Sequence, residues 1–161
     1  MKKILCAVCA LVLLWGSICA AQASSYKDII DRMSSKAEEL TPYADSNKLD
    51  CSTYSKWYEE FNKISGEFLQ AFSYTHKKRA SFQLARQAVD ELSSTWNMLR
   101  SAKDADDMYI ESISSGVNDA KYAHGWKKTA LLDRKNASAS IAKGIDLFKQ
   151  AKTSLESEAS E

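Results

Sequence analysis

From Tyr26 to Leu155 the apolar residues of this chain recur every three or four positions, and no stretch alternates at period two for long enough to read as a strand. Each such stripe is one face of an amphipathic helix, and a series of them is hidden from water only by packing stripe against stripe. The first holds Tyr26, Ile29, Ile30, Met33, Ala37 and Leu40. It opens on Ser25 with Asp28 three residues on, the pattern of a capping box, and closes at Thr41-Pro42, where proline pushes its predecessor out of helix. A polar connection from Tyr43 to Asp50 follows. The second stripe runs through Tyr54, Trp57, Tyr58, Phe61, Ile64, Phe68, Ala71 and Phe72, and the third through Phe82, Ala85, Val89, Leu92, Trp96 and Leu99. Ile110, Ile113, Val117 and Ala120 form a fourth; Ile141, Ile145, Phe148, Ala151 and Leu155 form the last. The expected fold is all-α, an antiparallel helical bundle of four or five amphipathic helices with coiled-coil-like seams.

Helix number depends on two interruptions. Counting sevens from Tyr54 gives Phe61, Phe68, Thr75, Phe82, Val89, Trp96, Lys103, Ile110, Val117 and His124; from Trp57 the row is Ile64, Ala71, Lys78, Ala85, Leu92, Leu99, Asp106, Ile113 and Ala120. Polar residues break the rows at Thr75/Lys78 and at Lys103/Asp106, so the chain either turns there or carries long helices through. Between Tyr74 and Ser81 there is no glycine, proline, asparagine or aspartate, and Lys77 to Ala80 are good helix formers, which favours continuity. Around Ser101 to Asp107 a turn is favoured, with Asp104 placed to cap the next helix. A further break is expected near Asn136 to Ser138. Whether residues 52–102 are one helix of about 77 Å or two stays open at this level.

The first 23 residues are of another kind. Lys2 and Lys3 precede an apolar run from Ile4 to Ala21, and Ala21-Gln22-Ala23 has the small-x-small form of a signal-peptidase site. The run is short for a membrane span and has no strongly basic flank after it. Cys19 at its end suggests a lipoprotein, but Ile18 sits where such processing needs a small residue. The expectation is a cleaved signal peptide over 1–23 and one domain over 24–161. The mature chain is then exported, to the periplasm in a Gram-negative bacterium and otherwise secreted, and does not span the membrane.

Cleavage changes the composition. Removing Lys2 and Lys3 from 22 basic side chains leaves 20 against 21 acidic ones, a net charge of −1, which gives no electrostatic reason to expect nucleic acid. Of four cysteines only Cys51 remains. One thiol closes no internal bridge, so Cys51 reads first as a buried structural residue, then as a disulfide link to a second chain, a homodimer in an oxidising compartment, and last as a catalytic thiol, for which no histidine lies close in sequence.

No constellation for chemistry emerges. His76, His124 and Cys51 lie far apart, and Glu59/Glu60 have no histidine at helical spacing. Covalent haem attachment needs Cys-x-x-Cys-His, which is absent; His124 with Met33, Met98 or Met108 would be the noncovalent alternative. The carboxylate clusters Glu38-Glu39, Glu59-Glu60 and Asp104 to Asp107 read as solvated faces or helix starts, and the basic run His76 to Arg79 as a solvated face or a joint. The expectation is therefore a non-enzymatic protein without cofactor or metal, acting through protein–protein contact or self-association. Trp57, Tyr58 and Trp126 are its candidate contact residues, being more aromatic surface than a small bundle covers. The alternative is a small-ligand or haem-binding bundle of the cell envelope, with its pocket between helices.

Overall fold

The computed structural model describes residues 25–44, 48–114 and 120–159. The expected signal segment, with Ala21 and Ala23, lies outside them. The described residues are all-helical, with no strand among them. Four α-helices pack together: α1 (Tyr26–Glu38), α2 (Cys51–Phe72), α3 (Ala80–Ser114) and α4 (Ala120–Glu158), with a short 3-10 turn at Thr41–Tyr43 after α1. No helix among them is long and apolar enough to cross a membrane.

Local chemistry sets the helix starts. The Asp28 amide donates to Ser25 Oγ at 3.1 Å and the Ser25 amide to Asp28 Oδ2 at 3.2 Å, so the capping box satisfies two donors that the first turn leaves open. Asp50 does the same for α2, accepting from the Thr53 amide at 2.8 Å.

Packing follows the stripes. Tyr54, Phe61, Phe68, Phe82 and Phe148 are all fully buried. Phe68 stacks on Phe82 with ring centroids 5.0 Å apart, and Phe61 meets Phe148 edge-on at 6.1 Å. Burying rings of this size is the largest favourable contribution a bundle of this kind has. Neighbouring helices run past one another in opposite directions. Tyr26 lies by Phe72 while Lys36 pairs with Glu60; Phe68 lies by Phe82 while Tyr58 stacks on Trp96. Along α3 and α4 the pairs are Ser81–Glu158, Glu91–Lys143 and Asp106–Arg134.

The two long helices approach closely because small residues line α4 at sevens: Ala123, Ala130, Ala137 and Ala151 are buried, and Gly144 completes the row. A Cβ on Gly144 would lie 2.8 Å from Leu92 Cγ, inside contact distance, so only glycine fits at this backbone separation.

Three expectations about helix breaks need correction. Residues 73–79 are not helical, although their composition favours it. A straight helix there would leave Phe68 and Phe82 facing along one line with no partner; turning folds one ring onto the other. The start of α3 is then satisfied from a distance, with the Glu158 carboxylate accepting from the Ser81 amide at 2.9 Å and from its hydroxyl at 2.8 Å. Conversely, α3 passes through Ser101 to Asp107 unbroken. Ala102 and Ala105 are buried against α4, Lys103 pairs with Asp107 one turn on, and Asp106 reaches across to Arg134, so the acidic run makes ion pairs rather than a cap. Likewise α4 continues through Asn136 to Ser138, where Ala137 and Ser138 are buried in the interface.

Candidate functional site

Helix lengths divide the molecule. At 1.5 Å per residue α1 and α2 are about 20 and 33 Å long, whereas α3 and α4 reach about 52 and 58 Å. The start of α2, Asp50 to Ser52, lies against Leu99, Lys103, Asp106 and Arg134, and from there α2 runs back toward Phe82. Beyond Lys103 and Asp106 no other described helix covers α3 and α4, and among the described residues they stand out as a two-helix arm, roughly residues 104–114 and 120–133.

The consequence shows in the seam. The rows Phe82, Val89, Trp96 and Ala85, Leu92, Leu99 are buried or nearly so. Carried on past Lys103 and Asp106, the same rows arrive at Ile110 and Ile113, which are 56% and 58% exposed. The fourth stripe is thus a correction: its described isoleucines are surface, because no third helix among the described residues reaches them. Met108, Tyr122, Trp126, Leu131 and Leu132 are exposed on the same arm, and Tyr74 is the one exposed large apolar residue elsewhere among those described. Single exposed apolar residues are ordinary; seven on one projection are not.

Within the arm the helices hold each other by small residues and charge. Ala102, Ala105, Ala123 and Ala130 are buried between them, Arg134 pairs with Asp106, and Lys127 Nζ stands 5.8 Å from the centre of the Tyr109 ring. One face carries two shallow grooves. A groove of about 370 Å³ is bordered by Arg100, Asp104, Met108, Trp126 and Thr129; its neighbour, about 330 Å³, is bordered by Tyr122, Gly125, Trp126 and Thr129. The opposite face is the one that α2 covers lower down, where Asp106 and Arg134 lie beside Cys51.

The expected contact residues separate. Trp126 is on the arm, 37% exposed, between the two grooves. Trp57 is core: it is buried, stacks on Phe61 at 4.8 Å, and its indole N–H donates to the Lys36 carbonyl at 2.8 Å. It offers no free face. Tyr58 is half-buried against Trp96. Cys51, half-buried at the first position of α2, borders a recess of about 260 Å³ with Leu99, Lys103 and Arg134, and burial pushes its thiol pKa up. A raised thiol pKa disfavours the thiolate that disulfide exchange requires.

The residues of the haem alternative are not brought together. His124 is exposed on α4, Met33 is fully buried on α1, Met98 is half-buried and Met108 is on the arm. Among the described residues no group of three or more His, Cys, Asp or Glu side chains is placed to hold a metal ion. Glu59 and Glu60 are both exposed, the second paired with Lys36, and neither lines a described recess. Ile110, Ile113, Leu131 and Leu132 are the residues that reading the stripes alone misses. The signal for them was arithmetic: stripes over 26–40 and 54–72 are too short to cover partners that extend to 155. Comparison with known proteins finds no matching family model, no matching curated protein and no matching solved structure.

Proposed function

We propose that this protein works by contact with other protein, as an exported, non-enzymatic, antiparallel bundle with a coiled-coil-like seam whose uncovered arm is the contact surface. The observation that carries this reading is the continuation of two apolar heptad rows beyond the helices that cover them, so that Ile110 and Ile113 face water in the register of core residues. Apolar side chains in that arrangement lower their free energy when another surface covers them. The basic start, the apolar run and Ala21-Gln22-Ala23 support export. Half-buried Cys51 supports association through helices rather than through a disulfide. The test is site-specific photocrosslinking in the native envelope, with the reactive group at Ile110 or Leu131 on the arm and at Glu59 on α2. Adducts are expected from the arm positions. Adducts from Glu59 alone, or from none of the three, would overturn the reading, as would specific turnover of a substrate by the purified protein.

A further inference from the structure

At the foot of the base, far from the arm, several elements meet on one ring. Tyr26, the first residue of α1, stacks on Phe68 and meets Phe72 edge-on, both from α2. Its hydroxyl lies 2.9 Å from Ser81 Oγ at the start of α3, and Ser81 is held by Glu158 from the last turn of α4. The turn over 73–79 joins this assembly through His76. The imidazole lies 4.3 Å from the Tyr26 ring, centre to centre, and meets Phe72 edge-on at 5.1 Å. Both sides of the turn are tied to the same residue: the His76 amide donates to the Phe72 carbonyl at 2.9 Å, and the Arg79 amide to the His76 carbonyl at 2.8 Å. Moving the imidazole therefore moves the turn.

That position suits a neutral imidazole and penalises a charged one. Arg79 already places its guanidinium 5.7 Å from the centre of the Tyr26 ring, so a protonated His76 would be a second cation on one aromatic. Lys77 and Lys78 stand between them in the chain, both exposed. Against His76, α1 presents the Tyr26 phenol, α2 the uncharged Phe72 ring, and the turn itself the Thr75 hydroxyl, 2.7 Å from Nδ1. The carboxylate acting on it is Glu158 of α4, whose oxygens already accept from Ser81 and Ser154.

We propose that this joint is a proton-operated latch: neutral His76 closes the turn onto the start of α1, and its protonation lets the turn and Tyr26 part, uncovering the rings of Tyr26, Phe68 and Phe72. The device is independent of what the arm contacts. Burial among the rings, and then Arg79, hold the imidazole below its ordinary 6.5, and the opposing pull of Glu158 does not reverse the direction. A histidine depressed in this way contributes stability that is fully present above the unfolded value and is lost as pH falls through the folded one. The window opens below about pH 6.5, apart from that of the Glu158 carboxyl, whose ordinary value is 4.5.

The experiment is hydrogen exchange of the full mature chain at about pH 7.5 and about pH 5.5, corrected for the intrinsic effect of pH, on either side of an ordinary histidine titration. The His76, Arg79 and Ser81 amides, all bonded within the joint, are expected to open more often at the lower pH. The ceiling is about ten-fold, set by protonating a group of ordinary pKa one unit below that value. His76→Phe keeps a ring against Tyr26 and Phe72 but takes no proton, and is expected to exchange equally slowly at both pH values. His124→Gln, which removes the other histidine, is expected to leave the response intact. Equal opening at both pH values in the unaltered protein overturns the proposal, as does a response that survives His76→Phe or vanishes with His124→Gln. Proton NMR of the unaltered protein gives a measure that needs no variant: His76 is expected to titrate below 6.5, and titration at or above it overturns the latch.

Discussion

Below Lys103 and Asp106 α3 and α4 are half of a four-helix core; above them the same two helices, in the same heptad phase, are nearly alone among the described residues. Val89 and Ile110 occupy one row of α3, three heptads apart, yet Val89 is 6% exposed and Ile110 56%. Helical phase therefore reports which way a side chain points, and burial depends on whether another helix is there to meet it. In the base, aromatic rings from α1, α2 and α4 fill the space. In the arm, alanines close the gap between two helices and leave the large side chains outside.

The sharpest way to break this contrast is to truncate one aromatic residue in each region. Phe61→Ala in the base should cost about 3–5 kcal/mol of unfolding free energy, as for other buried phenylalanines. Trp126→Ala on the arm should change monomer stability by no more than about 0.5 kcal/mol. Urea unfolding at low protein concentration measures both; comparable losses would mean that the arm is part of the core.

Hydrogen exchange probes the same boundary without mutation. Amides from Phe82 to Leu99 should approach the protection of global unfolding, and those of residues 105–114 and 122–132 should exchange earlier, through local opening. Uniform protection along α3 would erase the distinction between base and arm.

Glycine to alanine offers a comparison of sign. At Gly125 an added Cβ meets nothing within 4 Å, so the helix preference for alanine should stabilise by about 0.5–1 kcal/mol. At Gly144 the same gain is opposed by collision with Leu92, and overpacking at about 1–3 kcal/mol should make the net change destabilising. Thermal denaturation of the two variants gives the signs directly.

The smallest expected effect is acid sensitivity at the foot of the base. Burial alone would raise the pKa of Glu158, but hydrogen bonds from the Ser81 amide, the Ser81 hydroxyl and Ser154, with Arg79 nearby, hold it below the ordinary 4.5. A depressed carboxyl pKa contributes stability that is present above the unfolded value and lost as pH falls through the folded one. Stability should therefore decline below about pH 4.5. Glu158→Gln should lower stability at neutral pH and flatten that decline; an unchanged pH profile would remove Glu158 from the account.

Much of the base was legible in the sequence. The capping box at Ser25 and Asp28 and the stripes of Tyr54 to Phe72 and Phe82 to Leu99 became helix start and core. The turn at residues 73–79 was not, because the reason for it is Phe68 meeting Phe82 and a carboxylate arriving from α4, neither of which local propensity contains. Asp104 to Asp107 suit a cap and an ion-paired helix equally well, and the buried alanines around them decide. For the contact surface, Trp126 was legible as an aromatic outside the five stripes. Trp57 was misleading because its stripe made it core and its indole found a carbonyl on α1. Ile110 and Ile113 looked like core for a sound reason, phase, and differ only in lacking a neighbour among the described residues.

The Glu158 clasp also bears on the order of assembly. Ser81 and Glu158 are 77 positions apart, so the Ser81 amide at the start of α3 finds its acceptor only when the final turn of α4 has formed and returned. Closing so long a loop is entropically slow to be repaid. A chain emerging residue by residue from a ribosome or a translocation pore holds α3 open at its foot until the far end of α4 has emerged, and the base locks last. Under the proposed export, late locking would keep the aromatic stripes of α2 and α3 from setting while the rest of the chain is still in transit.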